Sequence, residues 1–136
     1  MPDRRYITLA EVEDIHAAVI DRTGGFPGYR DKGLVDSAVN RVQTGHYQNI
    51  FEEAAALMES IANNHGFLDG NKRTAFISTD TFLRWNGFYL DVEPIKAQRL
   101  MVNATKMIEP KTERHVFRFP LILEWIFSDY EVREDT

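Results

Sequence analysis

The sequence predicts an all-α fold, a compact single-domain helical bundle of about six helices over residues 1–136. Three observations carry that expectation. Apolar residues return every three or four positions along almost the whole chain, the spacing that gathers side chains on one helix face. Helix-starting residues (Thr8, Asp31, Pro120) precede these stretches, and glycine or proline ends most of them. Outside them, only the short "FYLD" at 88–91 is expected to be extended.

The elements follow in chain order. "TLAE", 8–11, reads as a capping box with Thr8 at the N-cap and Glu11 three residues on. Leu9, Val12, Ile15 and Val19 then mark one face, and Gly24-Gly25 with Pro27 beyond ends the helix. Asp31 caps a second helix in "KGLVDSAVNRV", which ends near Gly45. A third runs from Glu52 with Ala54, Leu57, Met58 and Ile61 on its stripe and His65 on the next turn of that stripe. A fourth starts around Asn71 or Lys72, turns Ala75, Phe76, Thr79, Phe82 and Leu83 inward and stops at Asn86-Gly87. A fifth carries Ala97, Leu100, Met101, Ala104, Met107 and Ile108 and closes at Pro110. The last opens at Pro120 in "PLILEWIFSDY", since proline fits the first turn of a helix. Between the second and third helices, "QTGHYQNIF", 43–51, is a polar and aromatic connection read as a mobile flap. No internal repeat or interdomain linker interrupts the pattern.

Composition narrows the function. With 43% hydrophobic and 27% charged residues among 136, the chain has the makeup of a soluble globule that needs no covalent staple. Cysteine is absent, which excludes disulfides, thiol nucleophiles and Cys-based zinc sites. The amino-terminal stretch has acidic residues within its apolar part, unlike a signal peptide, and no run approaches the ~20 apolar residues that cross a bilayer. The expected location is therefore the cytoplasm, with no membrane partner. A net charge of −5 argues against direct nucleic-acid binding, which relies on many cationic contacts to phosphate. Phosphate recognition by this chain must be local.

One stretch has the chemistry for it. "HGFLDGNKRTA", 65–75, sets His65, Asp69, Gly70, Asn71, Lys72 and Arg73 between two apolar-patterned helices. At the start of the fourth helix, backbone N–H groups lack partners and the helix dipole is positive, an arrangement suited to anions. Gly70 allows close backbone approach, Asn71 adds an amide, and Lys72 and Arg73 add charge. Asp69 offers a hard oxygen of the kind Mg²⁺ prefers, and His65 has the near-neutral pKa to take a proton from an attacking hydroxyl. Phe67 is expected to turn inward and anchor the loop. Together these groups point to transfer from a nucleotide phosphate to a hydroxyl.

Blander readings apply to each part. A histidine on an apolar stripe is more often a satisfied core residue than a base, and a polar helix start is usually only a capped turn. Their joint presence with Asp69 and Gly70 favours function. His16 and His115 have no charged company suggesting ligation and are read as structural, whereas His46 lies in the connection at 43–51, where loops carry function disproportionately. "GGFPGYRDKG", 24–33, lacks the strand–turn–helix context of a phosphate loop and is read as a structured turn. Phe117, Phe119, Trp125 and Phe127 are read as core.

"HGFLDGNKRTA" resembles the Fic/Doc motif, His-x-Phe-x-Asp/Glu-Gly-Asn-x-Arg, in the variant of the Doc, or death-on-curing, toxin branch of type II toxin–antitoxin systems. "IHAAVIDRTGG", "YRDKGLVDSAV" and "FLRWNG" are similar to the same branch, so the resemblance covers roughly residues 7–91. It implies a compact all-α fold, His65 as the base, Asp69 as the Mg²⁺ ligand, and Gly70, Asn71, Lys72 and Arg73 as the anion-binding turn. Fic adenylyltransferases usually have Gly after the Asn and a second Arg three residues after the first; here Lys72 and Phe76 stand there. In the Doc branch that pattern goes with a reversed nucleotide whose γ-phosphate is transferred. The resemblance thus implies a toxin-type protein kinase using ATP and Mg²⁺ on a Thr or Ser of a translation factor, elongation factor Tu, arresting translation. It also implies an antitoxin partner acting in trans through a groove beside the site. "TKMIEP", 105–110, echoes the family's internal inhibitory pattern but ends in Pro. Gly66 replaces a usual Pro, from which a less rigid loop is expected. Nucleotidyl transfer and a non-catalytic, partner-binding role are the alternatives.

Overall fold

A computed structural model describes residues 4–91 and 131–134. The fifth and sixth helices expected at 97–108 and 120–130, the "TKMIEP" segment, His115 and the aromatic set at 117–127 lie outside the described residues. Within them the chain is built of four helices, α1 (Leu9–Thr23), α2 (Lys32–Arg41), α3 (Ile50–Asn64) and α4 (Asn71–Trp85). An antiparallel pair, β1 (Phe88–Asp91) and β2 (Glu131–Glu134), follows, with Phe88 opposite Glu134 and Asp91 opposite Glu131. The all-α class holds, and "FYLD" is extended.

Local chemistry sets the helix ends. The expected capping box starts α1: the Thr8 hydroxyl accepts from the Glu11 N–H at 3.2 Å, and Glu11 accepts from the Thr8 N–H at 3.1 Å. Asp31 caps α2 through the Gly33 N–H, and Asn49 caps α3 through the Glu52 N–H, so that α3 begins at Ile50, two residues before the predicted start at Glu52. At the far end of α4, Asn86 takes the Arg5 N–H on its oxygen at 3.0 Å and returns its amide to the Arg5 carbonyl at 2.9 Å, tying the amino-terminal segment to this helix end.

α3 is the central element. Ala54, Ala55, Ala56, Leu57 and Met58 are all fully buried, so the helix is apolar nearly all round, as a helix surrounded by others must be. It packs chiefly against α4 and also against α2, while α1 lies on α4. The face α1 buries is Val12, His16 and Val19; Ile15, expected inward, is only partly buried and stands at a cleft. The shift of one residue makes His16 a core histidine.

The segment between α2 and α3 is held at its ends and at Tyr47. Val42 and Ile50 are buried, and Tyr47 accepts a hydrogen bond from Arg41 Nε at 2.7 Å. Arg41 also donates to Glu59 at 3.0 Å and Ser60 at 2.7 Å. Tyr47 is thereby tied to the end of α2, while residues 43–46, 48 and 49 of the connection are exposed.

The connection from α3 to α4 is held by the chain just before α2. Arg30 and Asp31 both donate their N–H to the Gly66 carbonyl, at 2.7 and 2.9 Å, and the Leu68 N–H donates to the Gly28 carbonyl at 3.2 Å. Tyr29 and Phe67 form an antiparallel bridge between the two segments. Gly66 sits where α2 presses on the loop: a Cβ there would lie 2.4 Å from Val35 Cγ2 and 3.2 Å from the Asp31 carbonyl. Its missing side chain therefore admits Val35 and rigid pairing, the reverse of the looser loop expected. Gly66→Ala is expected to cost about 1–3 kcal/mol through overpacking. In urea titrations, combining it with Val35→Ala should cost less than the two single changes added together, and strict additivity would contradict the contact.

Candidate active site

The six residues singled out in "HGFLDGNKRTA" all line one cleft of about 1220 Å³, together with Ile15, Arg22, Leu68, Phe76 and Ile77. α3 ends on one side of it and α4 begins on the other. His65 closes α3 in the left-handed conformation, φ 51° and ψ 44°, and is the one non-glycine residue with positive φ among those described. Left-handed backbone is unusual for a residue with a side chain, although histidine tolerates it better than most. It turns His65 off the apolar stripe predicted for it and leaves its imidazole exposed at the cleft.

Phe67 does turn inward. It is 2% exposed, and its ring lies between the rings of His16, 3.7 Å away between centroids and nearly parallel, and Tyr29, 5.0 Å away. The Asn71 carboxamide closes the loop around it, accepting from the Phe67 N–H at 3.0 Å and donating to the Phe67 carbonyl at 2.9 Å. The Asn71 side chain is therefore committed to shaping the turn. What this residue offers to an anion is its main-chain N–H.

Gly70, the N-cap of α4, is left-handed at φ 77°, and a Cβ there would press on Val19 and Ile20 of α1 at 3.2 and 3.3 Å. Glycine permits both the conformation and the close approach. The first helical hydrogen bond of α4 runs from the Thr74 N–H to the Gly70 carbonyl. The N–H groups of Asn71, Lys72 and Arg73 consequently have no acceptor within the helix, and Gly70 has no side chain to cap them. Their partial positive charge, with Lys72 and Arg73 lining the same cleft, makes this end of the cleft locally positive in a chain of net charge −5, a surrounding that suits an anion.

Asp69 stands beside that helix end, half-buried. Its Oδ2 accepts from the Phe26 N–H at 2.7 Å, and its main-chain carbonyl accepts from His16 Nε2 at 2.8 Å. Among the described residues no group of three or more His, Asp or Glu side chains converges on one point. A single carboxylate next to a helix N-terminus suits a cation that arrives with phosphate oxygens, the common way of holding Mg²⁺, and does not suit an all-protein cage. The site's donor set is thus of the kind that Mg²⁺ takes.

The family model described as "Fic/DOC family" matches residues 6–83, from the residue before the core position Ile7 through most of α4. This chain belongs to the Fic/DOC family. Among the relatives of this Fic/DOC chain, a protein named Toxin Doc from Mycolicibacterium smegmatis is 42% identical over 96 residues, covering 65% of this chain and 74% of that protein. A protein named Protein kinase doc from Escherichia phage P1 is 36% identical over 105 residues, covering 74% of this chain and 83% of that protein. No described helix of the Fic/DOC chain is long and apolar enough to cross a membrane.

Sequence reasoning set aside His16 and the glycine-rich segment at 24–33, yet both touch Asp69. A signal for His16 was present: it is a polar residue four beyond Val12 and three before Val19, on the face that is buried, and a buried polar group must find a partner. Tyr29, from the same glycine-rich segment, supports Phe67 and donates its phenol proton to Glu13. Burial first, and then the Glu13 hydrogen bond and the nearby Glu13 and Asp36 charges, push the Tyr29 pKa far above the ordinary tyrosine value. A folded-state pKa raised above the unfolded one gives stability that is complete below about pH 10 and is lost as pH rises beyond it. Urea midpoints should therefore fall in alkali above about pH 10 more steeply for the wild type than for Tyr29→Phe, which keeps the ring on Phe67. Equal alkaline slopes would contradict the assignment.

Proposed function

We propose that this chain is a Doc-type toxin: a protein kinase that transfers the γ-phosphate of ATP to a Thr or Ser hydroxyl of a translation factor, with elongation factor Tu as the expected target, and so arrests translation in the cytoplasm. The observation that carries the reading is the meeting, on one turn at one cleft, of an exposed imidazole (His65), a single carboxylate (Asp69) and the uncapped start of α4 with Lys72 and Arg73. The names of the two relatives, a toxin and a protein kinase, support it.

Each residue has a role in that reaction. The N–H groups of residues 71–73 and the Lys72 and Arg73 side chains bind and orient the triphosphate, Gly70 giving it close approach to backbone. Asp69 would hold Mg²⁺, which when bound offsets charge on the phosphate oxygens. His65 accepts the proton of the attacking hydroxyl as its oxygen forms the new bond to phosphorus; the bond to the β-phosphate oxygen breaks and ADP leaves. An imidazolium remains, which loses its proton to solvent. Phe76 and Lys72 line the cleft where the AMP-transferring pattern has Arg and Gly, which favours γ-phosphoryl over nucleotidyl transfer. An antitoxin acting in trans is the expected partner.

The test uses ATP labelled separately at the α- and γ-phosphates, with elongation factor Tu and then whole-cell lysate as acceptors. γ-Label alone on a protein acceptor is expected; α-label would make the chain a nucleotidyl transferase, and label from neither would make it a partner-binding member of the family. His65→Ala should lower transfer by about 10²–10⁴-fold, the span of general base catalysis. Its thermal midpoint should stay within a few degrees of wild type, because the side chain is exposed. A fully active His65→Ala protein would overturn the assignment.

A further inference from the structure

Asp69 is gripped at two atoms by α1 and the turn that follows it. His16 is 4% exposed, and its Nε2 lies 2.8 Å from the Asp69 carbonyl oxygen. That oxygen only accepts, so Nε2 carries the hydrogen and donates it. The stack on Phe67 fixes the plane of the imidazole and hence the direction of the bond. On the side-chain end, the Phe26 N–H donates to Asp69 Oδ2 at 2.7 Å. Gly25, left-handed at φ 106°, brings the turn against the same side chain: a Cβ there would lie 3.0 Å from Asp69 Cβ and 3.3 Å from its Cγ and Oδ2. One carboxylate oxygen is thus engaged by a main-chain donor, and the backbone behind it is held by a ring that cannot rotate freely.

We infer that His16 and the Gly25–Phe26 peptide are positioning residues that hold Asp69 as a one-oxygen ligand, presenting Oδ1 to the cation that accompanies a nucleoside triphosphate. This rests on the phosphoryl-transfer reading of the site. A carboxylate fixed in this way suits a small cation that takes one or two carboxylates and fills its remaining positions with phosphate oxygens and water. Groups that orient a metal ligand without touching the metal typically change metal affinity by about 10–100-fold when removed.

The experiment is calorimetric binding of ATP to the full chain, with and without Mg²⁺, for wild type and three variants. His16→Phe keeps a flat ring against Phe67 and removes the donor; His16→Gln restores an N–H donor; Gly25→Ala pushes a methyl against Asp69. His16→Phe and Gly25→Ala should each lose about tenfold or more of the affinity that Mg²⁺ adds, while metal-free ATP binding stays at the wild-type value and His16→Gln regains most of the loss. Near-ultraviolet circular dichroism reports whether the stack at Phe67 survives. If His16→Phe does not fold, Gly25→Ala carries the same comparison from the carboxylate end. Wild-type response to Mg²⁺ in both His16→Phe and Gly25→Ala would overturn the positioning role and leave the kinase reading standing. A wild-type protein whose ATP binding gains nothing from Mg²⁺ would instead overturn the kinase reading, and the positioning role with it.

Discussion

Burial of the Phe67 ring between His16 and Tyr29 is the contact on which the rest of the site depends. The chain from 65 to 73 carries an imidazole, a carboxylate, an amide and two cationic side chains, so it has little apolar area with which to secure itself. Phe67 is the fully committed apolar side chain of that stretch, and burying a ring of its size contributes about 1.5–3 kcal/mol. Everything around it follows from that anchor. Asn71 closes on its N–H and carbonyl, the bridge to Tyr29 aligns the preceding segment, and His16, seated against the ring, reaches Asp69.

The same anchor accounts for the strained position beside it. For Phe67 to enter the core directly after α3, the chain must leave the helix sharply at Asn64, and His65 takes the left-handed turn that does so. Such backbone costs on the order of 1–3 kcal/mol and persists only where surrounding contacts over-determine it. Here Gly66, clamped by two N–H donors and by Val35, supplies them. The turn is thereby preformed, with the imidazole exposed on one side of the cleft and the positive end of α4 on the other. A site arranged before its ligand arrives loses less in ordering the groups that bind it.

Much of this was legible in the sequence, for local reasons. The capping box at Thr8 and Glu11, the start of α4 at Asn71 and the stop at Asn86 each depend on residues within one turn of each other, and each was found where expected. All six site residues lie within nine positions, so their meeting at one cleft followed from placing a single turn. What sequence did not yield depends on distant contacts or on backbone sign. Periodicity carried His65 along the α3 stripe because a helical wheel has no left-handed residue in it. His16 was read without its partner because that partner is 53 residues away, and the turn at Phe26 is 43 residues from the carboxylate it binds. Gly66 looked like a loosened position because the side chain that fills its space, Val35, belongs to another helix.

The measurement that bears most directly on the account is a crystal structure of the chain with Mg²⁺ and a non-hydrolysable ATP analogue. The preformed turn predicts the γ-phosphate at the N–H groups of residues 71–73 with His65 alongside it, and main-chain shifts over 65–73 of no more than about 1 Å, as in pre-organised sites. The α-phosphate at that helix end, or a turn rebuilt around the nucleotide with Phe67 withdrawn from between His16 and Tyr29, would contradict it.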